Sequence, residues 1–100
     1  MNEQFETSFQ YFFCLMQEVI GDCYTKNYSN LPIPELKFSR GRRYFKIVNN
    51  HSVVAFVDTT NGDVLKPASW AAPAKHARGN IFNDDNGSSA VTAQGNIRYL

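Results

Sequence analysis

Residues 5–23 read FETSFQYFFCLMQEVIGDC, and their apolar positions recur every three or four residues. That spacing lines one face of an α-helix, which has about 3.6 residues per turn. Glu3 and Glu6 fall in the first turn, where negative charge complements the helix dipole, and Gly21 is a stop signal near the other end. The pattern predicts an amphipathic helix over residues 3–22, with an apolar face that continues to Cys23 and packs into the core.

The segment after this helix cannot be helical. Residues 30–34 read NLPIP, and each proline fixes its own φ and biases the preceding residue toward extended backbone. Apolar residues at 31, 33, 36 and 38 are spaced to touch the core. We therefore expect a connector over residues 27–41 that lies against the rest of the domain.

Residues 43–66 carry the patterns of β-strands. The stretches RYFKIV (43–48) and SVVAFV (52–57) are rich in β-branched and aromatic residues, and the three polar residues between them suit a turn. Asn61-Gly62 is a tight-turn signal, so DVLK (63–66) returns as a third strand that Pro67 ends. These residues predict an antiparallel sheet built from hairpins.

The rest of the chain gives weaker signals. Residues 71–79 read AAPAKHARG, which predicts a short helix over 72–79 with Pro73 in its first turn and Gly79 as its cap. The polar segment 83–89 is expected to be a mobile loop, and residues 95–100 could add a strand. The predicted fold is one α+β domain over residues 1–100: a helix packed on a small, mainly antiparallel sheet of three to four strands, with a short second helix.

Composition narrows the possible functions. The chain has no run near the roughly 20 apolar residues of a membrane span, and its acidic start is unlike a signal peptide, so we expect a cytoplasmic protein with no membrane partner. Cys14 and Cys23 are then expected to stay unpaired. No catalytic-triad, phosphate-loop or metal-ligand spacing is present. These features favour a binding protein over an enzyme and predict no catalytic residues, no metal and no cofactor.

The net charge of +1 conceals an uneven distribution along the chain. Between Lys37 and Arg78 there are eight Lys or Arg and only two acids, a balance of +6, whereas the rest of the chain carries −5. Charge sorted in this way creates a local field that favours an anionic partner for the middle of the sequence.

Two segments of the basic region contain the candidate binding residues. Residues 37–46 hold five cations with interleaved aromatics, and residues 62–80 hold more cations around the only tryptophan. Cations would bind phosphate, the indole would stack on a base, and Ser69 would precede a helix start with free N–H groups. The alternative is structural: Trp70 fills the core and the charges solvate a surface. The candidate site comprises Arg42, Arg43, Lys66, Ser69, Trp70, Lys75, His76, Arg78 and Asn80.

The second segment also carries a resemblance to a known family. The run GDV (62–64), KPASW (66–70), APAK (72–75) and RGN (78–80) resembles a widespread family of small proteins encoded by tailed bacteriophages. The resemblance extends back through residues 43–48 and 55–58 and forward to 97–100, and it departs from the family at Ala71, where members have a lysine. It implies a phage product acting in the cytoplasm of an infected bacterium, with no activity attached to the motif.

Three functions remain open at this stage. The favoured hypothesis is non-enzymatic binding of a phosphate-bearing ligand, either nucleic acid or a nucleotide signal of host defence. The first alternative is a protein-interaction module that inhibits or redirects a host protein, with Trp70, Arg43 and Tyr44 as anchors. The second alternative is a minor virion component. The favoured hypothesis requires the distant cations to meet around an accessible indole.

Overall fold

A computed structural model describes residues 3–98 of the protein. Within these residues, one helix, α1 (Glu3–Asn27), precedes five strands, and a short 3-10 helix (Ser88–Ala90) follows them. The strands are β1 (Lys37–Arg40), β2 (Tyr44–Asn49), β3 (Ser52–Asp58), β4 (Asp63–Pro67) and β5 (Pro73–Asn80). They form one antiparallel sheet in the order β1-β2-β3-β4-β5. The α+β prediction is confirmed, although the sheet has five strands rather than three to four.

Helix α1 buries the face that the apolar spacing predicted. Phe5, Phe9, Phe12, Met16 and Ile20 are all buried. The helix continues through Gly21 to Asn27, beyond the predicted end at residue 22, because one glycine costs a helix interior only about 1 kcal/mol. At the C-terminal end, the Tyr28 amide donates to the carbonyl of Tyr24 at 2.8 Å.

The sheet has two faces of different character. Phe45 of β2 pairs with Val57 of β3, and the Phe45 ring lies 5.0 Å from that of Phe5 and 4.8 Å from that of Phe9. We call the side with these contacts the helix-covered face; its strand residues are Phe45, Ile47, Val57 and Val64. Because side chains alternate along a strand, the helix-free face carries Tyr44, Lys46, Phe56 and Leu65.

The predicted second helix is wrong. Residues 73–80 form strand β5, which pairs with β4 through Leu65↔Ala77 and Val64↔Gly79. The alanines favour a helix locally, but pairing to the exposed edge of β4 satisfies the same backbone groups and overrides that weak preference. Pro73 therefore begins a strand, and Gly79 is not a cap: its missing side chain lets Ala90 approach, since an added Cβ would lie 3.0 Å from the Ala90 Cβ.

The predicted connector contains a strand that the sequence did not reveal. Residues 37–40 form edge strand β1, antiparallel to β2. Gln17 of α1 fixes the approach to this strand, since its Nε2 donates to the Pro34 carbonyl at 2.9 Å and its Oε1 accepts from the Leu36 amide at 2.8 Å. Leu36 is buried, so the connector does lie against the core as expected.

The segment after β5 closes the opposite end of the core. In the region expected to be a mobile loop, Asp85 Oδ1 accepts from the Gly87 amide at 2.9 Å, and Gly87 is buried with φ of 86°. Residue 97 of the strand expected over 95–100 makes only an isolated bridge to Val91, and residues 99 and 100 lie outside the described part. Cys14 and Cys23 are free thiols. No helix within residues 3–98 is long and apolar enough to span a membrane.

Candidate ligand-binding site on the helix-free face

A continuous row of rings and one ammonium group runs along the helix-free face. The Tyr44 and Phe56 ring centroids are 5.8 Å apart in an edge-on arrangement. The Nζ of Lys46 lies 5.8 Å from the centre of the Phe56 ring and 4.5 Å from that of Trp70. Phe56 is only 2% exposed, whereas Trp70 is 56% exposed. The row therefore leads from a buried ring to an accessible indole that carries a cation on its π-system.

The turn between β4 and β5 presents Trp70. The amides of Ala68 and Ser69 both donate to the carbonyl of Ala72, at 3.0 and 3.1 Å, and the Ala72 amide donates back to Ser69 Oγ at 3.2 Å. These bonds close a tight loop and leave the indole at its tip. No helix begins here, so the anion site predicted at Ser69 loses its basis: its hydroxyl is part of the turn.

A recess of about 370 Å³ opens beside this row. Tyr44 and Leu65 contribute apolar surface to it. Two cations also line the recess. Arg43 immediately precedes β2 and Lys75 lies in β5, three strands away in the sheet. The remaining lining is polar or carries small side chains: Asp58, Asn61, Asp63, Pro73 and Ala74. Apolar surface, cations and carboxylates thus meet in one concavity.

Asp58 is held as a charged group inside the protein. The residue is 3% exposed, and its Oδ1 accepts from the Thr60 amide at 2.8 Å and from the Thr60 hydroxyl at 2.6 Å. Its Oδ2 accepts from Arg43 Nε at 3.1 Å. Burial raises the pKa of Asp58, but the hydrogen bonds from Thr60 and Arg43 outweigh burial and leave the pKa below its ordinary value. Asp58 therefore serves to orient Arg43.

Arg43 remains available to a ligand despite this ion pair. The contact to Asp58 uses Nε, and 62% of the Arg43 side chain stays exposed. The hydrogen bond to Asp58 raises the pKa of Arg43, so the guanidinium stays charged. Its Cζ also lies 5.3 Å from the centre of the Tyr44 ring, which fixes the guanidinium beside the row.

Asp63 is braced at the other side of the recess. Its amide donates to Asn61 Oδ1 at 2.9 Å, and its Oδ1 accepts from Asn80 Nδ2 at 3.0 Å. Asn80 Nδ2 also donates to the Asn61 carbonyl at 2.8 Å, and Asn80 Oδ1 accepts from the Phe82 amide at 2.8 Å. Asn80, predicted to bind phosphate, instead holds the β3–β4 turn and Asp63 in place.

The structure brings only some of the predicted site residues together. Arg43 and Lys75 line the recess, and Trp70 stands on the adjoining row. Lys66 instead donates from Nζ to the Ile97 carbonyl at 2.7 Å, and Arg78 donates to the carbonyl of His76. Exposed Arg42 and His76 do not line the recess. Of the predicted cations, two of six therefore converge there.

Sequence reasoning overlooked Lys46 and Asp63 as site residues. Lys46 lies between Phe45 and Ile47, two residues of the buried face, so strand alternation alone assigns it to the opposite face. Asp63 carried no comparable signal, because its position depends on Asn80 and hence on β5, which was predicted as a helix. Within residues 3–98, no group of three or more His, Cys, Asp or Glu is arranged to hold a metal ion.

Comparison with known proteins gives one result. No curated protein and no solved structure matches the chain. The sequence profile of a family of unknown function, DUF7717, matches residues 3–100. Since that match covers nearly the whole sequence, the chain belongs to the DUF7717 family.

Proposed function

We propose that this protein binds single-stranded nucleic acid on its helix-free face. Trp70 stacks on a base, while Lys46, Arg43 and Lys75 contact the phosphates of neighbouring nucleotides. The observation that carries the proposal is the 56% exposed indole with the Lys46 ammonium 4.5 Å from its ring centre. Aromatic platforms beside cations are how proteins bind single strands without reading every base.

The exposure of Trp70 is the first argument. A tryptophan gives most to stability when its large apolar surface is buried, and this one leaves more than half of its surface in water. Stacking a base on an indole contributes about 1–3 kcal/mol. The proposed role therefore uses the part of the indole that the fold leaves exposed.

The charge distribution is the second argument. Helix α1 carries four acids and one base, whereas the segment 37–78 has a balance of +6. Arg40 of this segment lies on the helix side, where it pairs with Glu6, but Lys46, Arg43 and Lys75 are placed at the row and recess and attract a polyanion to the side that carries Trp70. The ion pair with Asp58 offsets part of the charge of Arg43, so the attraction comes chiefly from Lys46 and Lys75.

The spread of the cations favours a strand over a single nucleotide. Arg43 and Lys75 belong to opposite sides of a recess, three strand spacings or about 14 Å apart in the sheet order. Lys46 is further along β2, next to the indole. Successive phosphates of one strand can contact all three groups, each with its own cation.

The test is a binding titration by fluorescence anisotropy, with short labelled DNA and RNA single strands. Trp70→Ala is expected to weaken binding about 5- to 150-fold, the equivalent of one lost stacking contact, and Trp70→Phe to retain most of the affinity. Tyr11→Ala is the matched control, since Tyr11 is an aromatic residue of α1 that is 62% exposed. Unchanged binding by Trp70→Ala, or no binding to any strand, would refute the proposal.

Salt dependence separates a strand from a small nucleotide. With three phosphate contacts, a plot of the logarithm of the association constant against the logarithm of salt concentration should have a slope of about −2. Lys75→Gln should reduce that slope by about 0.7. Tight binding of a mononucleotide with little dependence on salt would assign the face to a small ligand instead.

A further inference from the structure

We infer that the recess lined by Tyr44 and Asp63, at the other end of the row from Trp70, selects a guanine base, and that Asp63 reads it. This inference rests on the proposed function, because it gives the recess a role in binding the same nucleic acid strand. Stacking on Trp70 accepts any base, whereas the recess presents fixed polar groups to whatever enters it.

The two carboxylates of the recess favour a base over a phosphate as the group nearest to Asp63, while Arg43 and Lys75 remain the phosphate contacts. Two carboxylates, Asp58 and Asp63, face the cavity and would repel an anion. Asp58 already accepts three hydrogen bonds, from Thr60 and Arg43. Asp63 accepts one from Asn80 at Oδ1, and a carboxylate offers about four acceptor positions. Asp63 therefore has acceptor positions left for an occupant that brings N–H donors.

The position of Asp63 is set before any ligand arrives. Its amide is bonded to Asn61 and its carboxylate to Asn80, which is itself bonded to the Asn61 carbonyl. Gly62, between them, has φ of 80°, where an added Cβ would lie 2.7 Å from the Phe82 ring. A carboxylate braced by its neighbours discriminates between ligands better than a mobile one does.

Guanine is the base that matches a carboxylate. The edge of guanine that pairs in a duplex has two adjacent donors, N1–H and the N2 amino group, which meet the two oxygens of one carboxylate. Adenine and cytosine offer one amino group beside a ring nitrogen whose lone pair faces the second oxygen. Thymine and uracil offer one N–H between two carbonyls. Single-stranded nucleic acid exposes this edge, and bonds to a charged acceptor are the strong ones.

The other lining residues fit a base as well. Tyr44 and Leu65 give apolar surface for the faces of the ring. Lys75 supplies a donor from another strand, suited to the guanine O6 or to the phosphate that follows. The volume of about 370 Å³ is in the range of small-ligand sites and holds one base.

The experiment compares oligonucleotides that differ at one base within an otherwise all-thymidine strand. Wild-type protein is expected to bind the guanine-containing strand about 5- to 100-fold more tightly than the adenine, cytosine or thymine versions. Replacing guanine by hypoxanthine, which lacks the N2 amino group, should remove most of that advantage. This comparison uses only the wild-type protein.

Asp63→Asn gives a result that a purely structural role cannot produce. The amide can still accept from Asn80, but it presents one donor and one acceptor to the ligand. The preference should therefore switch from guanine to adenine or cytosine, while affinity for the all-thymidine strand stays level or rises slightly with the loss of a negative charge. Asp84→Asn, an exposed acid outside the recess, should keep the guanine preference.

Each outcome decides between the two proposals. Equal affinity for all four bases, with Trp70-dependent binding intact, refutes guanine selection and leaves the proposed function standing. A uniform loss of affinity in Asp63→Asn for every strand also refutes it. Absence of binding to any oligonucleotide refutes the proposed function and the inference together.

Discussion

The two faces of the sheet are buried in different ways. On the helix-covered face, Phe45 and Val57 are fully buried beneath the phenylalanines of α1. On the helix-free face, Phe56 and Leu65 are 2% and 6% exposed, although neither belongs to the core cluster that α1 forms with the sheet in the described part of the chain. Near Phe56, the cover consists of the long side chains of Tyr44 and Lys46.

The difference explains why the helix-free face is the one suited to binding. Tight interdigitation with α1 leaves the helix-covered face no freedom to admit a ligand. Lys46 shields Phe56 with its aliphatic stem while its charged end stays at the surface. Side chains that shield apolar surface in this way can move aside, or a ligand can pack on them, without opening the core.

The largest expected effect compares one ring from each face. Phe45→Ala should destabilise the protein by about 4 kcal/mol, because three other rings pack against Phe45 and cannot collapse into the cavity. Phe56→Ala should cost about 3 kcal/mol, because flexible neighbours can fill part of the space. Urea denaturation at constant m-value measures both. An equal or reversed cost would show that the helix-free cover is as rigid as the core.

The next largest loss of stability is expected from a substitution at Gly87, which packs beneath α1. Gly87 has φ of 86°, and an added Cβ would lie 2.9 Å from Phe12 Cδ1. Gly87→Ala should therefore destabilise the protein by about 1–3 kcal/mol in thermal or chemical unfolding. Gly21→Ala is the matched control with the opposite sign: its nearest neighbour outside the local helix backbone, Ile33 Cγ2, would be 3.9 Å away, and alanine favours the helix by about 1 kcal/mol.

The pH dependence of stability tests the buried carboxylate of the helix-free face. At neutral pH, Asp58→Asn should cost about 1–3 kcal/mol, since it weakens the bonds from Thr60 and Arg43. The folded-state pKa of Asp58 is lowered, so its contribution exists above its ordinary pKa of about 3.9 and is lost as pH falls through the folded value. The gap between wild type and variant should therefore shrink in acid.

Asp84→Asn is the control for that measurement, because Asp84 is exposed. Its stability curve should run parallel to that of the wild type. A gap for Asp58→Asn that stays constant down to strongly acidic pH would show that the carboxylate charge plays no part.

The smallest effect concerns Trp70. Trp70→Ala should change the free energy of unfolding by no more than about 0.5 kcal/mol, because the side chain is more than half exposed at a turn whose bonds are made by the backbone and Ser69. A loss of unfolding free energy several times larger would mean that the indole helps to cover the sheet. Trp70 would then be a structural residue rather than one left available for binding.

Elements with a strong local pattern could be predicted from the sequence, whereas those defined by long-range pairing could not. Helix α1 and strands β2 to β4 follow from periodicity and turn residues. Strand β5 has the composition of a helix and becomes a strand only because β4 offers it an edge. Strand β1 has four residues and only one large apolar side chain, Phe38, too short a pattern to recognise.

The same distinction governs the candidate site. Trp70 and Arg43 could be named from residue type alone, and alternation along β2 would have added Lys46. The sequence could not show where the side chains of Lys66 and Arg78 point. Lys66 donates to the Ile97 carbonyl, and Arg78 donates to the His76 carbonyl of its own strand. Charge in the sequence indicates a basic segment, but partners distant in the chain decide which cations remain available.

The packing of Gly87 on Phe12 and of Gly95 on Ile20 has a consequence for how the chain is made. The five strands pair in sequential order, so each hairpin can close as soon as it leaves the ribosome, whereas α1 emerges first and finds its last neighbours some 75 residues later (Phe12 to Gly87, Ile20 to Gly95). Phe5 and Phe9 can pack on Phe45 once β2 has emerged, but the side of Phe12 that meets Gly87 stays uncovered until the end of the chain is made. We expect the nascent helix to be the part of this protein that chaperones hold during translation.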